Sequence, residues 1–359
     1  MTNDSHRPEY VTIHADVPGA AMWSYYRMLE TPDVVRRVAG DRAPEENLVA
    51  ARDTIRQARA YFSAAQGSPL LTRPVLAYYG MVSLAKLLLL LDSKQPRTLR
   101  EIEEVERKGH GLKQHDVLVD GAFSLEASEI EVTGDGSRAP FRPRGMFPLL
   151  AEVVLGSEAS RWLGKRVSVL QLVRSVPQLA TVLEQALGAD RGYLGAEVSH
   201  NTSADGSVEL QPDLDHPSGP KTAEDVLARA PYLNDCGAIV VATGGSRPDQ
   251  RQVAIKFPSS ATAYEVASRE EFAPGAAALP PDLHGVRFDS LLASYALMYA
   301  LSIVARYKPD RWASILDGNG SSLLPVIESF IPVAERWWPN LLLNRLTGKW
   351  IHFGQPSYF

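Results

Sequence analysis

The sequence has one cysteine, Cys236, among 359 residues. A single thiol forms no intramolecular disulfide and no cysteine-ligated zinc site, and such scarcity is typical of proteins of the reducing cytoplasm. The amino-terminal residues are polar and contain no apolar segment of the kind found in a secretory signal peptide. We therefore expect a cytoplasmic protein.

An excess of basic charge is also lacking, since the formal net charge is −5. Bulk charge therefore excludes a protein that coats nucleic acid, although it leaves room for a local basic patch. Hydrophobic residues make up 45% and charged residues 22% of the chain, as in an ordinary globular protein. A chain of this length is large enough for one core to split into two.

Most catalytic motifs are missing. The sequence has no Walker A run, no Gly-x-Gly-x-x-Gly, no Gly-x-Ser-x-Gly and no His-Glu-x-x-His, so the usual phosphate-loop, Rossmann, hydrolase and zincin sites are not predicted. The closest histidine pair, His110 and His115, is followed by Asp116, which by itself does not indicate a metal site. We predict no metal and no cofactor, and we favour a protein that is not an enzyme.

Two long apolar segments, residues 73–91 and 289–306, predict helices that are buried nearly all round. The part over 75–91 is slightly shorter than a membrane span and contains Lys86. We therefore predict a core helix there and no membrane partner.

Other segments complete the helical pattern. Residues 45–66 form an amphipathic repeat, residues 19–40 a repeat interrupted at Pro32, and residues 167–187 a repeat with a break at Pro177. Residues 321–346 predict a closing pair of helices.

The middle of the chain has a different period. Residues 115–145 and 236–257 have strand composition with turn residues between, which predicts short antiparallel strands. We therefore predict an α+β fold that is mainly helical. A helical bundle core is formed by residues 1–112 and 287–359, and residues 113–286 are an inserted α/β region with short antiparallel strands.

Each apolar helix carries one line of polar residues. These residues recur at spacings of three and four, which places them on one helical face: Tyr79, Ser83 and Lys86 in the first helix, and Tyr295, Tyr299, Ser302 and Arg306 in the second. A buried cation needs a carboxylate, a carbonyl or a ligand anion. Either the helices enclose a polar cleft for a small anionic ligand, bounded by Tyr79, Lys86, Tyr299 and Arg306, or the cations extend to solvent.

Arg52, Arg56 and Arg59 form a basic row on a separate face of the 45–66 helix. Such a row is either a solvated surface or a contact for a protein or nucleic-acid partner. The same choice, between an interface and packing of the last helix, applies to four side chains near the carboxyl end: Trp337, Trp338, Trp350 and His352.

His110 lies between two glycines, where neighbouring side chains do not restrict its direction. Its charge changes near neutral pH, so it is a weak candidate for a general acid or base. The alternative is a helix C-cap, where a histidine favours the negative end of the helix dipole.

Five segments are distinctive when they are taken together. In chain order they read ARAYFSAAQGSPLLTRPVLAYYGMVSLAKLLLL, GHGL, FSLEASEIEVTGDGSRAPF, SYALMYALSIVARYKPDRW and PVAERWWPNLLLNRL. This combination resembles the YaaC-like family of bacterial proteins. The resemblance covers most of the chain and implies a cytoplasmic bacterial protein. The family has no established reaction, so the resemblance assigns no catalytic residue.

The end of the second apolar helix also resembles HEPN-type helical ribonucleases. Their active members carry an arginine and, five positions later, a histidine. Here Arg311 stands five positions after Arg306, and none of the eight histidines follows an arginine at that spacing. The resemblance therefore implies a non-catalytic relative.

These observations predict a non-catalytic binding or regulatory protein that acts through a protein partner, an oligomer or nucleic acid, in bacterial stress or phage defence. The alternative is an enzyme or sensor that binds a small anionic ligand, such as a nucleotide, between the two apolar helices. Lys86 and Arg306 would then hold the anion, with His110 nearby for proton transfer.

Overall fold

The computed structural model describes residues 10–39, 43–92, 94–134, 144–188, 192–199, 208–212, 220, 222–244, 251–258, 268–269, 276–319 and 321–354. The chain forms two compact units. The helical unit consists of Glu9–Val173 and Leu291–Phe359, and the sheet unit consists of Met1–Pro8 and Arg174–Ser290. The predicted fold class, α+β and mainly helical with small antiparallel sheets, is confirmed.

The described helices are, in chain order, α1 (Pro18–Met28), α2 (Pro32–Ala39), α3 (Glu45–Gln66), α4 (Arg73–Leu90), α5 (Leu99–Glu106), α6 (Met146–Leu155), α7 (Val169–Arg174), α8 (Ala180–Leu187), α9 (Ala223–Arg229), α10 (Tyr232–Asp235), α11 (Ser290–Tyr307), α12 (Pro309–Leu316) and α13 (Leu324–Thr347). The described strands are β1 (Tyr10–His14), β2 (Leu112–Val119), β3 (Ala122–Val132), β4 (Arg166–Ser168), β5 (Leu194–Ser199), β6 (Val208–Pro212), β7 (Ile239–Gly244), β8 (Arg251–Phe257), β9 (Ser268–Arg269), β10 (Ala276–Leu279), β11 (Asp282–Leu283), β12 (Val286–Arg287) and β13 (Trp350–Gly354).

The pair α3 and α4 forms the centre of the helical unit. The apolar residues that recur at helical spacing in α3 are buried: Leu48, Ala51, Ile55, Ala58 and Phe62. A Cβ placed on Gly80 of α4 would lie 2.7 Å from Cδ2 of Phe62. The glycine therefore lets α4 approach the ring of Phe62 more closely than an alanine would.

The two apolar segments form α4 and α11. Both helices are long and apolar enough to cross a membrane, but most of each is buried inside the protein. This burial is typical of core helices in a soluble protein.

A small antiparallel sheet, in the order β2-β3-β4, belongs to the helical unit. The first two strands confirm the strand pattern predicted from residue 115, while residues 135–143 lie outside the described part. The third strand, β4, begins just before the segment predicted as a helix over 167–187. That segment contains α7 and α8, which are separated by a 3-10 turn beginning at Pro177, so the predicted break is confirmed.

The ends of the helical unit meet in a parallel pair, in which Tyr10–His14 lies beside Trp350–Gly354. The prediction of two helices over 321–346 is wrong, because α13 is continuous through Pro332 and Pro339. Each proline removes one backbone donor, and the helix gains the burial of Trp337 and Trp338 in return. These two tryptophans pack the last helix and are not exposed for an interface.

The sheet unit contains an antiparallel sheet in the order β7-β8-β6-β5-β10-β9. The predicted strand pair over 236–257 corresponds to β7 and β8, and its connecting turn, 245–250, lies outside the described residues. Buried side chains of the sheet pack with buried side chains of α9 and α10: Leu194, Leu210, Val253, Ile255, Phe257 and Leu279 from the sheet, and Val226 and Leu233 from the helices.

The helical unit extends to Val173, whereas the predicted boundary of the core was residue 112. The sheet of β2, β3 and β4 and helix α6 are part of this unit. The backbone N–H of Phe147, in α6, donates to the carbonyl oxygen of His110 at 3.0 Å.

Candidate functional site

Helices α4 and α11 contact each other through tyrosine side chains. The ring of Tyr78 lies 5.4 Å from the ring of Tyr295 and 5.7 Å from the ring of Tyr299, both in edge-on geometry. The hydroxyl of Tyr299 donates to the carbonyl oxygen of Leu112 at 2.8 Å. The tyrosines of α4 and α11 therefore form one aromatic contact inside the helical unit.

His110 belongs to the same cluster. Its ring lies 5.6 Å from the rings of Tyr78 and Tyr299, and its Nδ1 is 3.1 Å from the hydroxyl oxygen of Tyr78. Helix α5 ends at Glu106, with Arg107 as its C-cap residue. His110 is therefore not the helix cap, and its side chain faces the tyrosines of α4 and α11.

Two glycines fix the backbone around His110. Gly111 and Gly145 both have positive φ, at 78° and 93°. A Cβ on Gly145 would lie 2.1 Å from the backbone nitrogen of Gly111, and a Cβ on Gly111 would lie 2.1 Å from Cδ of Pro148. Only glycine fits at this crossing, which holds His110 against the start of α6.

Arg306 lies beside this cluster on α11. Its Nη1 donates to the hydroxyl of Tyr79 at 2.8 Å, and its Nε lies 3.4 Å from the carbonyl oxygen of Ser302. The guanidinium carbon is 5.5 Å from the ring centre of Tyr79 and 5.0 Å from that of Tyr307. Within the described part of the chain, Nη2 is buried without a hydrogen-bond partner, and no carboxylate pairs with the guanidinium.

Lys86 does not share this environment. Its Nζ forms an ion pair with Glu106 at 2.8 Å. Lys86 is seven positions after Tyr79, which corresponds to about 10 Å along the helix axis. The positive charge of Lys86 is thus balanced by Glu106, whereas Arg306 has no carboxylate partner among the described residues.

The basic row of α3 is paired with acidic residues. Arg52 contacts its neighbour Asp53 at 2.9 Å. Arg56 and Arg59 both contact Glu30, at 2.9 Å and 3.2 Å, from the segment after α1. The row therefore carries less net positive charge than its sequence indicates.

The other polar candidates have partners within the protein. His115 Nε2 lies 2.6 Å from a carboxylate oxygen of Glu131, and Asp116 contacts both Lys308 and Arg311. In the described ranges, no three His, Cys, Asp or Glu side chains are placed to hold a metal ion. Asp213, Asp215 and His216, which cluster in a loop that the sequence predicts as a solvated turn, lie outside the described residues.

Burial determines the protonation of this cluster. The pKa of His110 is lowered from its ordinary 6.5, first by burial and second by the charge of Arg306, while Glu106 opposes the shift. Burial raises the pKa of Tyr299 to about 12 and raises the pKa of Tyr78 well above its ordinary range. At neutral pH the site therefore contains a neutral histidine, neutral tyrosines and one cation, Arg306.

Acid should destabilise the protein partly through His110. The folded-state pKa lies below 6.5, so the unfolded chain takes up the proton first and stability falls as the pH drops below that value. Between pH 7.5 and pH 5.0, the free energy of unfolding in urea should fall less for His110→Asn than for the wild type. The variant lacks the imidazole, whereas all other titrating groups are the same in both proteins. An equal loss in both proteins would contradict the shift.

The sequence did not identify three contributors to the site. Tyr78 is one residue away from the predicted polar line, yet its ring is at the centre of the cluster. Tyr61 stacks on Tyr79 with ring centres 5.5 Å apart, and Glu106 neutralises Lys86. No spacing rule links these residues, since their contacts join different helices.

A family model described as YaaC-like Protein matches residues 36–346. No curated protein and no solved structure matches the chain, and the HEPN resemblance stays a prediction. Because the family match covers most of the sequence, the chain belongs to the YaaC-like protein family.

Proposed function

We propose that the chain binds a small anionic ligand at Arg306, as a sensor or an enzyme. The observation that carries this proposal is the buried Nη2 of Arg306, which has no partner in the described structure. A buried N–H group without an acceptor costs about 1–3 kcal/mol, and more when it is charged. An anionic oxygen of a ligand would supply both the missing acceptor and the missing charge.

The residues around Arg306 support a binding site. Tyr79 orients the guanidinium through a hydrogen bond, and half-buried His110 contributes a neutral polar group. Lys86, which was expected to hold the same anion, is already paired with Glu106. The proposal therefore rests on Arg306 rather than on two cations.

The alternative function, a protein or nucleic-acid contact through Arg52, Arg56 and Arg59, has less support because Glu30 and Asp53 already pair with this row. Arg56→Glu in the host would test it if the purified variant keeps its fold. The cytoplasmic location and a role in bacterial stress or phage defence stay predictions.

Arg306→Gln should abolish anion binding and change stability little. The substitution loses one hydrogen bond to Tyr79 but also removes an unpaired buried N–H group. Native mass spectrometry of protein purified from its host should show a retained small anion in the wild type and none in the variant, with thermal midpoints within a few degrees.

Arg100→Gln is the matched control, since it removes the same charge from a side chain that is 89% exposed. This variant should retain the anion. If Arg306→Gln instead unfolds the chain, or if both variants retain the anion equally, Arg306 is a structural residue and the proposal is wrong.

A further inference from the structure

Two buried tyrosine hydroxyls and His110 form a chain of hydrogen bonds. The hydroxyl oxygens of Tyr295 and Tyr78 are 3.4 Å apart, and the hydroxyl oxygen of Tyr78 is 3.1 Å from Nδ1 of His110. Both tyrosines are fully buried, at 0% exposure. Water therefore does not compete for these hydroxyl groups, and their hydrogens need acceptors within the chain.

The number of hydroxyl hydrogens decides the direction of these two hydrogen bonds. If Tyr78 donated to Tyr295, the hydroxyl hydrogen of Tyr295 would have no acceptor among the described residues. If Tyr295 donates to Tyr78, the hydrogen of Tyr78 is free to point at Nδ1 of His110. Only this second direction gives both buried hydrogens an acceptor, and an unmade hydrogen bond in the core is costly.

The direction fixes the tautomer of His110. Because Nδ1 accepts from Tyr78, the single proton of the neutral imidazole lies on Nε2. Nε2 has no hydrogen-bond partner in the described part of the chain, and the side chain is half-buried. His110 therefore offers a donor, while the lone pair that a general base would need is occupied by Tyr78.

The charged neighbours of His110 are Arg306 on α11 and Glu106 on α5, and its uncharged titratable neighbours are Tyr78 and Tyr299, with Tyr295 one step further along the hydrogen bonds. Glu106 is paired with Lys86. One positive charge, that of Arg306, is therefore left unbalanced in the described site at neutral pH.

On the basis of the proposed anion site, we infer that its ligand is a singly charged oxyanion, a carboxylate or a phosphodiester, bound by donors from Arg306 and from Nε2 of His110. A monoanion balances the charge of Arg306. A phosphomonoester dianion would bring a second negative charge into a half-buried site, where an unbalanced charge is expensive. In this arrangement His110 is a donor to the ligand and not a base.

The tautomer is measurable without any ligand. Two-dimensional 15N NMR of the full chain with labelled histidine, at pH 7.5, should show His110 protonated at Nε2 and hydrogen-bonded at Nδ1. In Tyr78→Phe the Nδ1 resonance should move by several ppm toward the position of an imidazole nitrogen without a donor, and in the control Tyr25→Phe it should stay. A proton on Nδ1 in the wild type would overturn the inference.

The ligand class is tested with matched probes at pH 8, where phosphomonoesters carry two charges. The pairs are 3′,5′-cyclic AMP with 5′-AMP, and benzoate with phenyl phosphate. Calorimetric titration should show that the monoanion of a pair binds more tightly by about tenfold or more. A dianion that binds equally well overturns the ligand class. If no probe binds and purified protein retains no anion, the proposed function itself fails, while the tautomer measurement still stands.

Discussion

Gly145→Ala should lower the free energy of unfolding by about 3 kcal/mol or more. Gly145 has φ 93°, where an alanine is strained, and its Cβ would lie 2.1 Å from the backbone nitrogen of Gly111 and 2.4 Å from the carbonyl oxygen of Gly109. These neighbours are backbone atoms, so no side-chain rotation relieves the clash. Urea unfolding followed by circular dichroism measures the loss.

Gly121→Ala separates the clash from the backbone strain. Gly121 also has positive φ, at 82°, but nothing lies within 4 Å of its Cβ position. This control should lose about 1 kcal/mol from the left-handed conformation alone. Equal losses in the two variants would mean that the crossing of Gly109–Gly111 with Gly145 is not tightly packed, and that His110 is held by other contacts.

Arg73→Met should destabilise the chain by about 3 kcal/mol. Arg73, at the start of α4, donates through Nε and Nη2 to the two carboxylate oxygens of Glu335, at 2.8 Å and 2.6 Å. Glu335 is only 2% exposed, so the substitution leaves a carboxylate buried without its partner. The free energy of unfolding in urea is the measurement.

The double variant Arg73→Met with Glu335→Met tests the cause. Removing both charges leaves neither one unpaired, so the double variant should recover most of the stability lost by the single one. Arg100→Met, at the exposed pair with Glu104, should change stability little. A double variant as unstable as Arg73→Met would mean that lost packing, rather than the unpaired carboxylate, causes the effect.

Gly145→Ala and Arg73→Met both change segments that position the site. Arg73 and Glu335 join α4 to α13 at the end of α4 that carries Tyr78 and Tyr79. Gly145 packs against the backbone of His110 and its two neighbouring glycines. Loss of anion binding in these variants is therefore expected to accompany loss of stability, unlike the loss in Arg306→Gln.

The apolar pattern of the sequence was sufficient to predict three core helices, one with a single apolar face and two that are apolar nearly all round. Residues 45–66 and the two apolar segments have their predicted bounds to within a residue or two, because a helix's apolar spacing follows directly from its geometry. The same pattern was not sufficient for α13, because residues 321–346 predict two helices where the structure has one. Burial of Trp337 and Trp338 there outweighs the two donors lost at prolines, and burial depends on neighbours far away in the chain.

The sequence by itself determined that the protein is mainly helical, belongs with the YaaC-like proteins and carries polar lines on two apolar helices. Those lines contain Tyr79, Tyr299 and Arg306, since spacing along one helix defines a face. Only the tertiary structure decided which cation stays unbalanced. Glu106 forms an ion pair with Lys86, and Glu30 forms one with Arg56 of the basic row. Arg306 donates a hydrogen bond to Tyr79 and has no carboxylate partner among the described residues. The ion pairs and the contacts of His110 with tyrosines form between segments that are distant in the sequence. No local sequence pattern therefore predicts them.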